Sequence, residues 1–371
     1  MTRPARPQRN NLLRVALWAA VALLALTVGG CRRLRARRAP VASAEVRHGR
    51  ALYARYCALC HGRRLQGYAA DHANALGNQS FLELASPEFL RAAIRDGRPG
   101  TPMSAWGRQA GGPLSDAEIA DLVAFIRSRA RRPLRELLLS MIPGDLEVGR
   151  AAWAQHCQSC HGERGQGTAR ATSVSHPNFL AAANDHYLHA TIMEGRPGTL
   201  MASFRHLPPT TVDALVRHIR TLGTPPPPPP ERFEPPPGLD RLVMNPTGRP
   251  PAFVLREGRF VPGAQVLRAM NEGRRMVILD TRAISDWSRG HIAGALPFPF
   301  YDIEEMARHL PRDGTWIVAY CACPHAASGH VVDLLRARGF PRTAVLDEGV
   351  TWWTQQGHPV ARAALLPPGP P

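Results

Sequence analysis

Two short runs hold the residues best suited to do chemistry. Cys57-Ala58-Leu59-Cys60-His61 returns a hundred positions later as Cys157-Gln158-Ser159-Cys160-His161. In C-x-x-C-H, thiols at i and i+3 suit thioether bonds to the two vinyl groups of one porphyrin, and the next histidine lies under the iron as its proximal ligand. Half of a zinc site or a redox dithiol would also use a C-x-x-C pair. Here, however, the surroundings repeat too. Gly49-Arg50 precedes the first motif and Gly149-Arg150 the second. Downstream, Gly97-Arg98-Pro99-Gly100-Thr101-Pro102-Met103 matches Gly195-Arg196-Pro197-Gly198-Thr199-Leu200-Met201. The offset is 100 at the cysteines and 98 at the methionines, so one loop differs by two residues. Such a repeat means two copies of one structural unit, and a four-cysteine zinc site needs no repeated methionine loop.

Two covalently bound haem c groups are therefore expected, on Cys57, Cys60 and His61 and on Cys157, Cys160 and His161. A methionine is usually core filler. Met103 and Met201 differ in closing a Gly/Pro-rich loop, about forty residues after their histidines. A thioether on such a loop reaches the open face of a haem, and His/Met ligation raises the reduction potential. The competing sixth ligands are His72 in the first unit and His176 or His206 in the second. On these residues, 43–131 and 144–223 each resemble a small class I cytochrome c domain. The resemblance implies helices around one haem, the first ending at C-x-x-C-H and the last packing across it. Ile119, Leu122, Val123 and Ile126, then Val212, Leu215, Val216 and Ile219, recur at i, i+3, i+4, i+7 and read as the core faces of those last helices.

The 371 residues allow two or three domains. Each haem unit is short for an apolar core of its own, so the haem supplies part of it. The net charge is +17, carried by 46 basic residues that are all arginine. No basic run is interleaved with aromatics, which argues against nucleic-acid binding; a basic surface still steers acidic redox partners. Residues 1–31 read as an export signal: Arg3, Arg6, Arg9 and Arg14 precede an apolar stretch from Val15 to Val28, short for a spanning helix. The run before Cys31 resembles a lipoprotein box, which implies lipidation of Cys31; an uncleaved anchor over Leu12 to Gly30 is the alternative. The basic linker 32–42 opposes translocation, and after export it can lie on anionic headgroups. Both versions place the bulk on the periplasmic side of a bacterial membrane.

After the linker 132–143 and the second unit, a Pro-rich linker spans 224–251. Pro225–Pro230 is six prolines in a row, a polyproline II spacer of about 3.1 Å per residue. Beyond it the pattern changes. Met276–Leu279, Trp316–Tyr320 and Thr343–Leu346 are buried-strand runs, and His330–Arg338 is a helical run ended by Gly339. Alternating strands and helices imply a parallel sheet with chemistry at the strands' carboxyl ends. Cys321 stands there, where backbone N–H groups and a helix N-terminus favour a thiolate.

Asp280-Thr281-Arg282, Gly290-His291-Ile292-Ala293-Gly294-Ala295, Tyr320-Cys321 and Leu346, Gly349, Trp353, Gly357, Pro359 and Val360 resemble a rhodanese-like domain over 252–365, with 366–371 as a tail. The resemblance implies that Cys321 carries a persulfide. It also implies that Arg282 lines the site or is structural, and that His291 is fold-defining. The active loop departs from the common pattern: Pro324 replaces a glycine, Ala326 replaces an arginine, and Cys323 adds a second thiol. Without that arginine an anion loses its forked donor. The expected architecture is thus multidomain, two all-α cytochrome c domains followed by an α/β domain with a parallel sheet. The expected function is exported, membrane-associated electron carriage coupled to sulfur transfer or thiol redox chemistry at Cys321, with Cys323 assisting. Its donor is a quinol- or sulfur-compound-oxidising protein and its acceptor a terminal oxidase or another cytochrome. Whether the chain is an enzyme stays open; in the alternative, the third domain is an inactive, partner-docking module of an electron-transfer or redox-sensing protein.

Overall fold

The computed structural model describes residues 42–68, 70, 73–99, 101–135, 144–223, 231–238, 242–322 and 325–366. Residues 1–31 with Cys31, His72, the Pro225–Pro230 run and Cys323 lie outside the described residues. All described elements belong to the compact unit Ala44–Pro371.

The first helical unit runs through α1 (Ala44–Leu52), a π-helical turn (Tyr53–Cys57), α2 (Ala58–His61), α3 (Gln79–Leu84), α4 (Pro87–Asp96) and α5 (Asp116–Arg127). Side-chain caps start the later helices: Asn78 accepts from Phe81 N, Ser86 from Phe89 N, and Ser115 forms a full capping box with Glu118. The second unit repeats the order with α6 (Leu146–His156), α7 (Gln158–His161), α8 (Pro177–Ala182), α9 (Asp185–Glu194) and α10 (Pro209–Leu222). The apolar stripes of α5 and α10 are buried as expected, from Ile119 to Ile126 and from Val212 to Ile219.

The repeated glycine ahead of each cysteine motif has a steric cause. In both units the first helix crosses the last, α1 on α5 and α6 on α10. A Cβ at Gly49 would stand 1.9 Å from Asp121 O, and one at Gly149 would stand 2.2 Å from Ala214 O. These are backbone atoms, so only a residue without a side chain permits the crossing.

The two-residue difference between the units is also located. Gly67 and Gly167 both donate to the carbonyl of the motif histidine. Immediately after, Tyr68 N bonds Ala73 O in the first unit, whereas Thr168 N bonds Ala171 O in the second. The shorter turn restores the register at Gly77 N to Leu65 O and Ser175 N to Gly165 O.

The C-terminal unit is a five-stranded parallel sheet of order β1-β6-β5-β2-β4, with β1 Phe260–Val261, β2 Met276–Asp280, β4 Leu296–Pro297, β5 Trp316–Tyr320 and β6 Thr343–Leu346. A separate antiparallel pair joins β3 (His291–Ile292) to β7 (Val360–Ala361). The helices are α11 (Gly263–Asn271), α12 (Ile284–Arg289), α13 (Ile303–Met306), α14 (Ala326–Ala337) and α15 (Gly349–Gln355). The three expected strands are the sheet's centre; the edge strands are two residues long and carry no period to detect. Helix α14 begins at Ala326, four residues ahead of the apolar run that signals it, because its first turn (Ala326, Ala327, Ser328, Gly329) is small and unpatterned.

Replacing Gly149 by alanine should lower the melting temperature through overpacking, at a cost of about 1–3 kcal/mol; calorimetry checks this. The same crossing buries His218 against Trp153, ring centroids 5.7 Å apart. Burial, then Arg150, holds His218 below its ordinary value. A lowered histidine value means that the unfolded chain takes the proton first, so stability falls as pH drops through the ordinary histidine range near 6.5. His218→Leu should flatten that acid limb in a pH series of thermal melts.

Candidate haem and thiol sites

Each C-x-x-C-H motif begins where the first helical stretch ends, and its last four residues form a one-turn helix, Ala58–His61 and Gln158–His161. Cys57 and Cys157 pack against the apolar cluster, as does Met103. Burial pushes the Cys57 thiol up to about 12, and burial aided by Cys160 does the same for Cys157. A thioether carries no charge to desolvate, so this environment opposes a thiolate and leaves a covalent haem link unaffected.

The histidines decide the fit. His61 Nδ1 lies 2.9 Å from Asn74 O, and His161 Nδ1 lies 3.0 Å from Thr172 O. A carbonyl only accepts, so Nδ1 carries the proton and Nε2 is left as the metal-ligating nitrogen. Burial, the largest cause in both, keeps the two imidazoles below their ordinary value and hence neutral. The loop after each motif is braced in matching fashion, by Tyr53 OH to Gly62 O at 2.8 Å and by Trp153 Nε1 to Glu163 O at 3.0 Å. The donor set and its tautomer fit a c-type haem in each unit. Among the described residues no group of three or more His, Cys, Asp or Glu side chains forms a metal site of another kind.

The methionine loops are superposable in their bonding. Arg98 N bonds Met103 O at 2.7 Å and Arg196 N bonds Met201 O at 2.8 Å. Thr101 and Thr199 each bridge the loop, accepting from the methionine N–H and donating to the arginine carbonyl. The loops also cross between units in a reciprocal way. Asn78 donates to Pro197 O at 2.8 Å, and His176, its counterpart, bonds Pro99 O at 3.1 Å. Ser80 donates to Gly195 O, and Asn178 to Gly97 O. Arg98 lies over the Phe179 ring, and Arg196 over the Phe81 ring. His176, a competing sixth ligand in the sequence, is thus engaged with the other unit's loop. His206 meets His156 edge-on at 6.3 Å and the tilted Phe204 ring at 5.9 Å.

The family described as cytochrome c oxidase, cbb3-type, subunit III matches residues 44–126 and 144–219, and the rhodanese-like domain family matches residues 263–356. The chain carries two tandem c-type cytochrome domains and a rhodanese-like domain. It is 29% identical over 184 residues to the cbb3-type cytochrome c oxidase subunit FixP of Bradyrhizobium sp. (strain ORS 278), covering 47% of this chain and 60% of that protein. It is equally 29% identical over 189 residues to the cbb3-type subunit CcoP of Azospirillum brasilense, covering 47% of this chain and 61% of that protein. The chain thus spans about 60% of the length of these curated relatives. Among solved structures, a rhodanese-like domain from Anabaena sp. is 31% identical over 23% of this chain and 80% of its own, with a TM-score of 0.22. The two cytochrome domains accordingly hold two haem c groups.

In the rhodanese-like domain, Cys321 directly follows β5 and is 3% exposed. Its Sγ lies 3.3 Å from Ser328 Oγ in the first turn of α14. The loop backbone is gripped from α15, with Val350 N bonding Cys321 O at 3.0 Å and Thr351 Oγ1 donating to Ala322 O at 2.7 Å. Gly349 has φ +68°, and a Cβ there would stand 2.9 Å from Cys321 O. His325 adopts φ +74° at the entry to α14, its ring 4.7 Å from Phe260. Ser328 carries no sequence signal, since its position shows only once the helix start is known.

Arg282 is engaged with Asp280 and the backbone, and its guanidinium lies over the Tyr320 ring at 5.8 Å. Its guanidinium pairs with Asp280 at 2.6 Å and donates to Gly290 O at 2.6 Å. Asp280 also accepts from Tyr320 OH at 2.9 Å. Burial opposes the charge on Arg282, and Asp280 more than offsets it, holding the guanidinium above its ordinary value. These contacts suit a structural role, one of the two roles the family pattern offers. His291 stacks on Trp287 at 4.1 Å with Nδ1 2.8 Å from Trp287 O, which is also structural.

The third domain sits on the first cytochrome domain. Helix α14, which follows Cys321, lies against α2, which carries Cys60 and His61. Tyr301 packs on Tyr56, the residue before Cys57, at 4.9 Å and on Trp106 at 5.7 Å. Arg55 bonds Tyr301 O at 3.3 Å and pairs with Asp302. Replacing Arg282 by leucine leaves Asp280 buried and unpaired, which should destabilise the third domain by about 3–5 kcal/mol. Chemical denaturation followed by tryptophan fluorescence should show the loss as a midpoint at lower denaturant.

Proposed function

We propose that this chain is an exported, membrane-associated dihaem electron carrier whose first haem receives electrons from sulfur chemistry at Cys321. The observation that carries the reading is the packing of α14 on α2, which brings the element after Cys321 against the element bearing the first haem link. Met103 and Met201 are the proposed sixth ligands, supported by their matching loops. When bound, each haem supplies a one-electron couple at a potential raised by a thioether ligand.

The residues around Cys321 account for the rest. The thiol of Cys321 joins a sulfide to form an S–S bond, releasing two protons and two electrons, the number that two one-electron centres hold. The outer sulfur then passes to an acceptor thiol by exchange, with no further change in electron count. Ser328 Oγ, at 3.3 Å, is placed to receive or return the thiol proton. A terminal oxidase of the cbb3 type is the proposed acceptor, supported by the names of the curated relatives. Membrane attachment rests on the sequence of residues 1–31, with Cys31 as the lipidation site.

A pyridine haemochrome assay should give two haems per chain, and one in a Cys57→Ala/Cys60→Ala variant. Anaerobic titration of the oxidised full-length protein with sulfide should reduce both haems and leave one persulfide per chain at Cys321. Cys321→Ser should slow that reduction at least about ten-fold. Equal rates in the two proteins would overturn the coupling. That result would favour the second reading, an inactive docking module, which the 3% exposure of Cys321 supports.

A further inference from the structure

We infer that Ser285 and Asp286 of the rhodanese-like domain are positioning residues for the methionine loop of the first haem, so that the third domain sets the potential of one haem and not of the other. The inference rests on the proposal that Met103 is a ligand of that haem.

The residues after Met103 are held from the third domain. Ser104 Oγ donates to Asp286 Oδ2 at 2.5 Å, and Ser285 Oγ donates to Ala105 O at 2.7 Å. Ser104, Ala105 and Trp106 are 6%, 0% and 7% exposed. The Trp106 ring meets Phe300 at 6.4 Å and Tyr301 at 5.7 Å. Met103 is thus bracketed, with its own carbonyl accepting from Arg98 N and the next residue fixed to Asp286. The whole latch is buried, where hydrogen bonds are stronger and their loss leaves a desolvated carboxylate. Burial, the largest influence, holds the Asp286 carboxyl above its ordinary value, and Arg282, the Ser104 bond and Arg289 offset part of that.

Among the described residues the second unit has no counterpart. The positions matching Ser104 and Ala105 are Ala202 and Ser203, and both are exposed. Ala202 has no hydroxyl to donate, and Ser203 Oγ turns back to Met193 O of its own unit at 2.7 Å. Two loops with the same internal bonding therefore differ in their outer support. A methionine thioether held in place would raise the potential of the haem it holds, and one free to move away would do so less. The first haem is then the centre whose potential depends on the docked third domain, and the second is an internal control in the same chain.

The test is a potentiometric titration of full-length haem-loaded protein, with the red-edge charge-transfer absorption of methionine-ligated ferric haem recorded alongside. Ser104→Ala and Asp286→Ala should each shift the oxidised-to-reduced ratio of the first haem about ten-fold toward oxidised at fixed potential, a fall of ~59 mV for one electron. Both should also weaken the methionine band by up to half. Asp286→Asn keeps an acceptor for Ser104 and should restore most of both signals, which a merely structural effect of the substitution would not do. The second haem should not move in any variant. Ser104→Ala removes a single hydroxyl, so it reports even if Asp286→Ala fails to fold. Unchanged potentials in Ser104→Ala, or equal shifts of both haems, would overturn the inference. A methionine band absent from the unsubstituted protein would overturn the ligand assignment, and this inference with it.

Discussion

Neither methionine loop is held by its own domain alone. Loop 97–103 is bonded by His176 and Asn178, and loop 195–201 by Asn78 and Ser80. In each case the acceptors are backbone carbonyls of the Gly-Arg-Pro turn, and the donors come from the start of a helix in the other unit. The loop of each unit that carries its proposed methionine ligand is therefore completed by its neighbour. The paired rings of Phe89, Phe179 and Tyr187 fill the space between, with Phe89 and Tyr187 stacked at 4.7 Å. Arg135 adds a bidentate pair to Glu194, both bonds 2.6 Å.

The third domain extends the same logic to one side. It is rigid where it makes contact, because Asp280, Arg282 and Tyr320 form a buried, satisfied network just behind the docking residues. Thr281 bonds Tyr320 O through both N–H and Oγ1, and Thr281 O accepts from Phe300 N. Backbone bonds thus run from the residue before Cys321 to the aromatic pair that meets Trp106. The Asp-Thr-Arg motif serves the sheet and the interface at once.

Much of this was readable from residue types. The cysteine motifs, the methionine loops and the central strands announce themselves through spacing, and so does the parallel sheet. The repeated glycines were visible as a pattern, while their cause, a helix crossing with a backbone atom 1.9 Å from a would-be Cβ, was not. Other features have no local signal. β4 is two residues long, and Ser328 reaches Cys321 only because α14 starts earlier than its apolar run. The Ser104–Asp286 bond joins residues 182 apart through two ordinary polar side chains. Pairings of that kind belong to the tertiary fold and leave no trace in periodicity.

The reciprocal contacts between the two helical units are isologous: each patch on one meets the equivalent patch on the other. Two separate copies of such a unit would close into a homodimer through the same face. Joined by residues 132–143, they meet at an effective concentration on the order of millimolar without any new contact. Fusion also does what a symmetric dimer cannot. It lets the two copies diverge at single positions, serine against alanine at 104 and 202, so that a pair built on symmetry offers a third domain only one place to bind.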